Sequence, residues 1–304
     1  METSTESPSK GPTATARSSE SPPGGAFSTL YSFSGTDGAN PSAGLLQAPN
    51  GNLYGTTAAG GSNNVGTVFK ITPGGALTTL HNFDTTDGAA PLAALTQGTD
   101  GNFYGTTDTG GANGYGTIFA ITPGGTLKIL YSLRPTDGAN PIAGLIQATD
   151  GNFYGTTSDE GPNFLGTIFR ITPGGTLTTM YSFSPTDGQD AEGGLVQGTD
   201  GNLYGTTTEG GTFGAGIVFS LATGLGPFVK TVPTSGSVAA NVTILGSDLT
   251  GATSVSFGGA PAAFTVVSAS EIATAVPAGA TSGKVQVTTP SATLLSNVAF
   301  KVAQ

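Results

Sequence analysis

One seven-residue word recurs through this chain without slippage. Gly51-Asn52-Leu53-Tyr54-Gly55-Thr56-Thr57 returns as GNFYGTT at 101 and 151 and as GNLYGTT at 201, a period of 50 residues. The flanks repeat with it: GTVFKITPGG at 66–75 reappears as GTIFAITPGG at 116 and GTIFRITPGG at 166, then decays to GIVFSLATG at 216. Self-similarity at such a period marks a repeat architecture in which each copy is one supersecondary unit that buries its apolar face only against its neighbours.

Each copy reads as four short strands, A to D, which in the second copy span 92–98, 102–107, 116–122 and 126–133. Thr99-Asp100-Gly101 joins A to B and Pro123-Gly124-Gly125 joins C to D. Both are hairpin chemistry, since glycine supplies the positive φ these turns demand. The connections from B to C and from D to the next A are longer, so in an up-and-down sheet all the long loops share one side and the tight turns the other. Strand C is apolar on both faces, with Phe69, Phe119, Phe169 and Phe219 on one and Val68, Ile118, Ile168 and Val218 on the other. Sheets buried on both faces stack on one another, and four-stranded sheets stacked around an axis are the blades of a β-propeller. The chain enters at 27–33 with a segment that matches strand D and leaves the fourth copy after strand C at 221. Pairing of 27–33 with 216–221 then closes a four-bladed ring within one chain and hides two strand edges. A strand-exchanged oligomer uses the same pairing between chains.

The array occupies 26–222. Residues 1–25 are rich in Ser, Thr and Pro and are expected to be disordered, because they bury too little to offset the entropy of ordering. They also lack the apolar centre of a signal peptide. After a linker at 223–226, residues 227–304 carry short β-rich runs at 241–245, 254–257, 263–268, 271–276, 283–288 and 297–302, broken by Gly and Pro, which read as an immunoglobulin-like β-sandwich. The expected fold class is therefore all-β: a four-bladed β-propeller closed by an N-terminal strand, plus a C-terminal sandwich.

The series LLQAPNGNLYGTT, GTVFKITPGG and LTTLHNF resembles the GloVer-type tandem repeats of environmental bacteria, over residues 27–221. PFVKTVPTSG, VTILGSDLTGATSVSFGGAPA, IATAVPAGATSGKVQVTT and the closing VAFKV resemble the IPT/TIG group of immunoglobulin-like domains. The first resemblance implies propeller-like blades without an assigned activity, and the second an immunoglobulin-like module.

Composition removes several function classes. With 9 Lys and Arg against 19 Asp and Glu, for a formal charge of −10, there is no electrostatic footprint for nucleic acid or anionic lipid. No Cys and a single His exclude thiolate and His-cluster metal sites. No apolar run reaches the ~20 residues that span a bilayer, so membrane insertion is not expected. The Thr, Ser and Gly-rich, lysine-poor balance points to a secreted or cell-surface protein.

His81 takes a slot filled by Tyr31, Tyr131 and Tyr181 in the other copies, which favours packing over catalysis. The TDG aspartates Asp37, Asp87, Asp137 and Asp187 read as turn caps. Asp137 and Asn140 offer oxygens for calcium, but the D-x-[DN]-x-[DN]-G series with a trailing Glu is missing, so no cofactor is expected and calcium is the one cation considered. Tyr54, Tyr104, Tyr154 and Tyr204 read as packing residues. The copies differ most in their long loops, which bring Tyr115, Phe164 and Phe213 to one rim with Asp108, Asp159, Glu160 and Glu209, while the last D-to-A loop adds Asp190 and Glu192. Aromatics beside carboxylates stack on sugar rings and bond hydroxyls, or grip a protein. The leading expectation is a non-enzymatic binding protein whose long-loop face meets a glycan or surface protein, with the sandwich as spacer. An extracellular polysaccharide-active enzyme, using Asp159 with Glu160 or Asp190 with Glu192, ranks second, because no spacing places two carboxylates at the ~5 to 9.5 Å of glycosidases. A purely structural surface or filament role ranks third.

Overall fold

The computed structural model describes residues 17–20, as backbone, and residues 26–303 with side chains. Every regular element among them is a strand. Two strands precede the first full repeat, β1 (Arg17–Glu20) and β2 (Ser28–Ser32). The first repeat sheet consists of β3 (Leu46–Gln47), β4 (Leu53–Thr57), β5 (Thr67–Ile71) and β6 (Leu77–Asn82). The second holds β7 (Thr96–Gln97), β8 (Phe103–Thr107), β9 (Thr117–Ile121) and β10 (Leu127–Ser132). The third holds β11 (Ile146–Gln147), β12 (Phe153–Thr157), β13 (Thr167–Ile171) and β14 (Leu177–Ser182). The fourth has only three strands, β15 (Val196–Gln197), β16 (Leu203–Thr207) and β17 (Ile217–Leu221). In each repeat sheet the spatial order follows chain order, as expected for A to D.

The recurring word is explained by what surrounds its atoms. A Cβ on Gly105 would lie 2.6 Å from Phe119 Cζ and 2.9 Å from Leu95 Cδ2, and Gly55 and Gly155 are equally crowded by Phe69 and Phe169. Only glycine lets strand B pass under the strand C phenylalanine. The second threonine of each word bonds across the same pair of strands, Thr57 Oγ1 to Thr67 Oγ1 at 2.8 Å and Thr107 to Thr117 and Thr157 to Thr167 at 2.9 Å, all buried. At the A-to-B turn, Gly101 adopts φ 86° and the Asn102 amide donates to Asp100 Oδ1 at 3.2 Å. Strand A shrinks to two residues, because 92–95 runs outside the ladder.

The repeat sheets pack face to face through one set of positions. Tyr54 of the first meets Phe103 of the second with centroids 4.1 Å apart, and Tyr104 meets Phe153 of the third at 3.8 Å. Val68 and Ile118 are fully buried on the same trailing faces, opposite leading faces formed by Leu95, Phe119 and Ile121 and then by Leu145, Phe169 and Ile171. Each interface of this kind removes several large apolar side chains from water, at about 1.5–3 kcal/mol apiece.

Two expectations are corrected at the termini. β2 does not pair with β17; its partner is β1, so the fourth sheet stays three-stranded and the expected closure by an N-terminal strand is not present. The reason is a half-repeat hidden in the segment expected to be disordered: SPPGGAFSTL at 21–30 runs in phase with ITPGGALTTL at 71–80. β1 thus falls where a strand C belongs, already tethered to β2 by a short connection. The remainder of 1–25 lies outside the described residues.

The chain divides into two compact units, the first made of residues up to 147 with 151–194 and 206–217, the second of 148–150, 195–205 and 218–304. The C-terminal segment contributes β18 (Lys230–Val232), β19 (Ser235–Gly236), β20 (Asn241–Leu245), β21 (Ser254–Phe257), β22 (Ala260–Ala262), β23 (Phe264–Ser268), β24 (Glu271–Ala275), β25 (Val285–Thr288), β26 (Thr293–Leu295) and β27 (Lys301–Val302). Sheets ordered β18-β20-β24-β23 and β22-β21-β25-β26 enclose a core of Val242, Ile244, Val255, Phe257, Ile272, Val285, Val287 and Phe300, as expected of an immunoglobulin-like sandwich.

Candidate functional site on the long-loop side

Backbone bridges tie each D-to-A loop to the B-to-C loop of the repeat it enters: Ala39 to Ala59, Ala89 to Thr109, Ala139 to Asp159 and Gln189 to Glu209. The long connections therefore meet along one side, as the strand order requires. Each B-to-C loop also folds back on itself, through Gly60 with Val65, Gly110 with Tyr115, Glu160 with Leu165 and Gly210 with Ala215. That fold needs left-handed backbone at several places, two of which are not glycine in every copy. The first is filled by Gly60, Gly110 and Gly210 but by Glu160 (φ 56°) in the third copy; the second by Asn64, Gly114 and Gly214 but by Phe164 (φ 61°). A bulky side chain in that region is strained by about 1–3 kcal/mol and persists where the surroundings impose it. Phe164 is 71% exposed, so it does not tuck under its own loop and core packing does not offset the strain. Phe213 in the next loop is 94% exposed.

The other expected site residues divide into two groups. Asp159, Asp190, Glu192 and Glu209 come together: burial, then the charges of Glu209, Asp159 and Glu192 in turn, raise the Asp190 carboxyl above its ordinary value. Gln189 Nε2 donates to Glu209 Oε2 at 2.6 Å and fixes one of them. Asp108 and Tyr115 stand apart from this group. Asp108 accepts a bond from Asn140 Nδ2 at 2.8 Å, and Tyr115 packs against the core cluster of Tyr104, Ile118 and Leu133 rather than presenting its ring to the rim. The roles of Asn140 and Gln189 were missed in the sequence; both directly follow TDG-phase glycine turns by one or two residues, a placement that points them at the neighbouring loop.

The TDG aspartates close turns. Asp137 accepts from the Tyr131 hydroxyl at 2.9 Å and from the Arg134 amide at 3.2 Å; Asp187 accepts from Tyr181 and from the Ser184 amide, both at 2.6 Å; Asp37 accepts from Tyr31. Asp137 is thereby occupied, and among the described residues no group of three or more carboxylates or histidines is arranged to hold a metal ion. Tyr104 and Tyr204 likewise donate to Asp100 and Asp200, at 2.8 and 2.6 Å. No helix among the described residues is long and apolar enough to cross a membrane.

Comparisons with known proteins agree with the repeat and with the C-terminal sandwich. The Gloeobacter/Verrucomicrobia repeat matches residues 18–148 and 121–258, and the IPT/TIG domain matches residues 227–302. A search of curated proteins finds no match. Among solved structures, a gluconolactonase from Xanthomonas campestris is 14% identical, with a TM-score of 0.43 over 84% of either chain. A fungal alcohol oxidase in complex with copper is 13% identical, with a TM-score of 0.34 over 91% of this chain and 78% of that one. A protein of unknown function from Dyadobacter fermentans is 12% identical, with a TM-score of 0.37 over 66% and 64%. Likenesses this distant say nothing about chemistry. The family matches cover most of the chain, which therefore belongs to the Gloeobacter/Verrucomicrobia repeat family and ends in an IPT/TIG domain.

Proposed function

We propose that this chain is an extracellular carbohydrate-binding protein, its four repeats forming a propeller-like unit whose long-loop side holds the ligand, with the IPT/TIG domain as spacer. The observation that carries the reading is the third loop, where Glu160 and Phe164 occupy backbone positions that the other copies give to Gly or Asn, and Phe164 faces solvent. Conformational strain at an exposed aromatic, next to carboxylates, is the signature of a residue kept for contact rather than for stability. Exposed Phe164 and Phe213 offer faces for sugar rings, and Asp159, Glu192 and Glu209 offer acceptors for hydroxyls. Repeated weak subsites on one rim then add through multivalency. The test is a glycan array with the full chain, repeated with Phe164→Ala and Phe213→Ala. Binding lost in both variants while the melting temperature holds supports the reading; no binding by the parent chain leaves a structural role.

A second reading, hydrolysis of a surface polysaccharide, rests on the raised Asp190 carboxyl among three others. Release of reducing ends from the bound glycan, abolished in Asp190→Asn, would favour it over binding alone.

A further inference from the structure

The two ends of the repeat region are complementary. β1 pairs with β2 as Arg17 to Ser32, Ser18 to Tyr31, Ser19 to Thr29 and Glu20 to Ser28, with a register shift after Ser18. Strands C and D of the third repeat pair as Thr167 to Ser182, Ile168 to Tyr181, Phe169 to Thr179 and Arg170 to Thr178, with the shift at the same step. β1 therefore imitates a strand C down to its bulge, while serines stand at the positions of Ile168 and Phe169. β2 is a strand D in the company of a polar stand-in. At the other end β17 is a strand C with its apolar residues and without a strand D. The face beyond it is bare: Val218 is 81% exposed and Val196 and Tyr204 are exposed, although Tyr54, Tyr104, Val68 and Ile118 at the same positions of earlier repeats are buried by the following sheet.

We propose that β17 of one copy takes β2 of a second copy as its strand D, displacing that copy's β1. The pairing follows the repeat register, Ile217 to Ser32, Val218 to Tyr31, Phe219 to Thr29 and Ser220 to Ser28. Phe33 already rests on Phe69 with centroids 5.1 Å apart, and Leu30 and Tyr31 pack beside Leu53 and Leu77. A β2 that docks on β17 thus brings its own first repeat sheet onto Val196, Tyr204 and Val218, which recreates the interface used between repeats inside the chain. Displacing β1 costs the same within a chain as between chains. A second copy is the occupant because closing only four sheets within one chain demands a sharp angle between neighbours, four being the small end of the usual range, and exchange between copies avoids it. Such a head-to-tail contact is heterologous and propagates as a ring or filament. It is independent of any ligand on the loop side.

The chain has no cysteine, which makes disulfide trapping clean. Ser32→Cys and Ile217→Cys are made in separate full-length chains, mixed, and oxidised; directly opposed residues on paired strands have Cβ atoms about 4.5–5.5 Å apart. The expected result is a disulfide-linked heterodimer from the mixture, none from either chain alone, and a ladder of multimers from the doubly substituted chain. A doubly substituted chain that cyclises as a monomer, or no disulfide at all, overturns the proposal. As a second measurement, sedimentation of the unsubstituted chain should show association that rises with concentration, and Val218→Lys, exposed in the single chain, should abolish it without changing the melt. An unsubstituted chain that stays monomeric, or a Val218→Lys chain that associates equally, overturns it too.

Discussion

His81 Nε2 lies 2.7 Å from Asp87 Oδ2, where Tyr31, Tyr131 and Tyr181 direct their hydroxyls at Asp37, Asp137 and Asp187. The imidazole also meets Phe83 edge to face at 4.9 Å, as Tyr31 meets Phe33 at 5.4 Å. The one histidine thus repeats a structural pair with a different ring. His81→Tyr is expected to leave stability within about 0.5 kcal/mol, whereas His81→Ala loses the ring contact and about 1 kcal/mol. Denaturant melts of the two variants check this; equal losses would refute the equivalence.

Gly105 should not accept a methyl group, because its Cβ would press on Phe119 and Leu95. Gly105→Ala is expected to cost about 1–3 kcal/mol by overpacking. Gly124, whose nearest neighbour to a Cβ is Thr122 Oγ1 at 3.8 Å and whose φ is not positive, supplies the control. Gly124→Ala should be close to neutral in the same melt.

Stability should fall at both extremes of pH. Burial pushes the Asp100 carboxyl up, but hydrogen bonds from Tyr104, Asn102 and the backbone outweigh it and hold the group below its ordinary value; Asp187 follows the same pattern with Tyr181 and Ser184. Depressed carboxyls contribute stability above the unfolded value near ~4, and that contribution is lost as pH falls through the lower folded values. Burial, then Asp100, push the Tyr104 phenol up to about 12. Its contribution is present below the unfolded value near ~10 and is lost as pH rises through the folded one. Melting temperature followed from pH 2 to 12 should decline at each end for the parent chain and less steeply for Asp100→Asn. Parallel profiles would count against the pair.

Asp190 has the opposite sign to Asp100. Burial and three neighbouring carboxylates raise its pKa, so its contribution is favourable below the unfolded value and is lost as pH rises through the folded one. Asp190→Asn should therefore raise the melting temperature at neutral pH, by the equivalent of about 0.5 kcal/mol, and leave it unchanged in acid. Asparagine also tolerates the φ of 55° at this position. A stabilisation that persists at acid pH would assign the gain to backbone rather than charge.

The sandwich runs 241–245 and 254–257 fall on β20 and β21 residue for residue, and strands B to D match to within a residue or two. The short β18, β22 and β26 escaped notice, since strands of three residues leave too few positions for alternation to register. β1 escaped for a related cause: its strand C phase survives while its apolar residues do not, and a hydrophobic pattern cannot reveal a strand made of Arg, Ser and Glu.

The sequence by itself determined the period, the order of strands within each repeat and the side on which the long loops lie. These follow from local rules: alternation along a strand, positive φ at glycine, and the reversal of direction at every turn. Only the tertiary structure decided that β2 rests against β1, that Tyr115 turns inward while Phe164 and Phe213 do not, and that Asp159, Glu192 and Glu209 gather on Asp190. The last two of these relations draw on residues of different copies, and how one sheet stacks on the next is set by close packing of whole faces, which no single stretch of chain encodes.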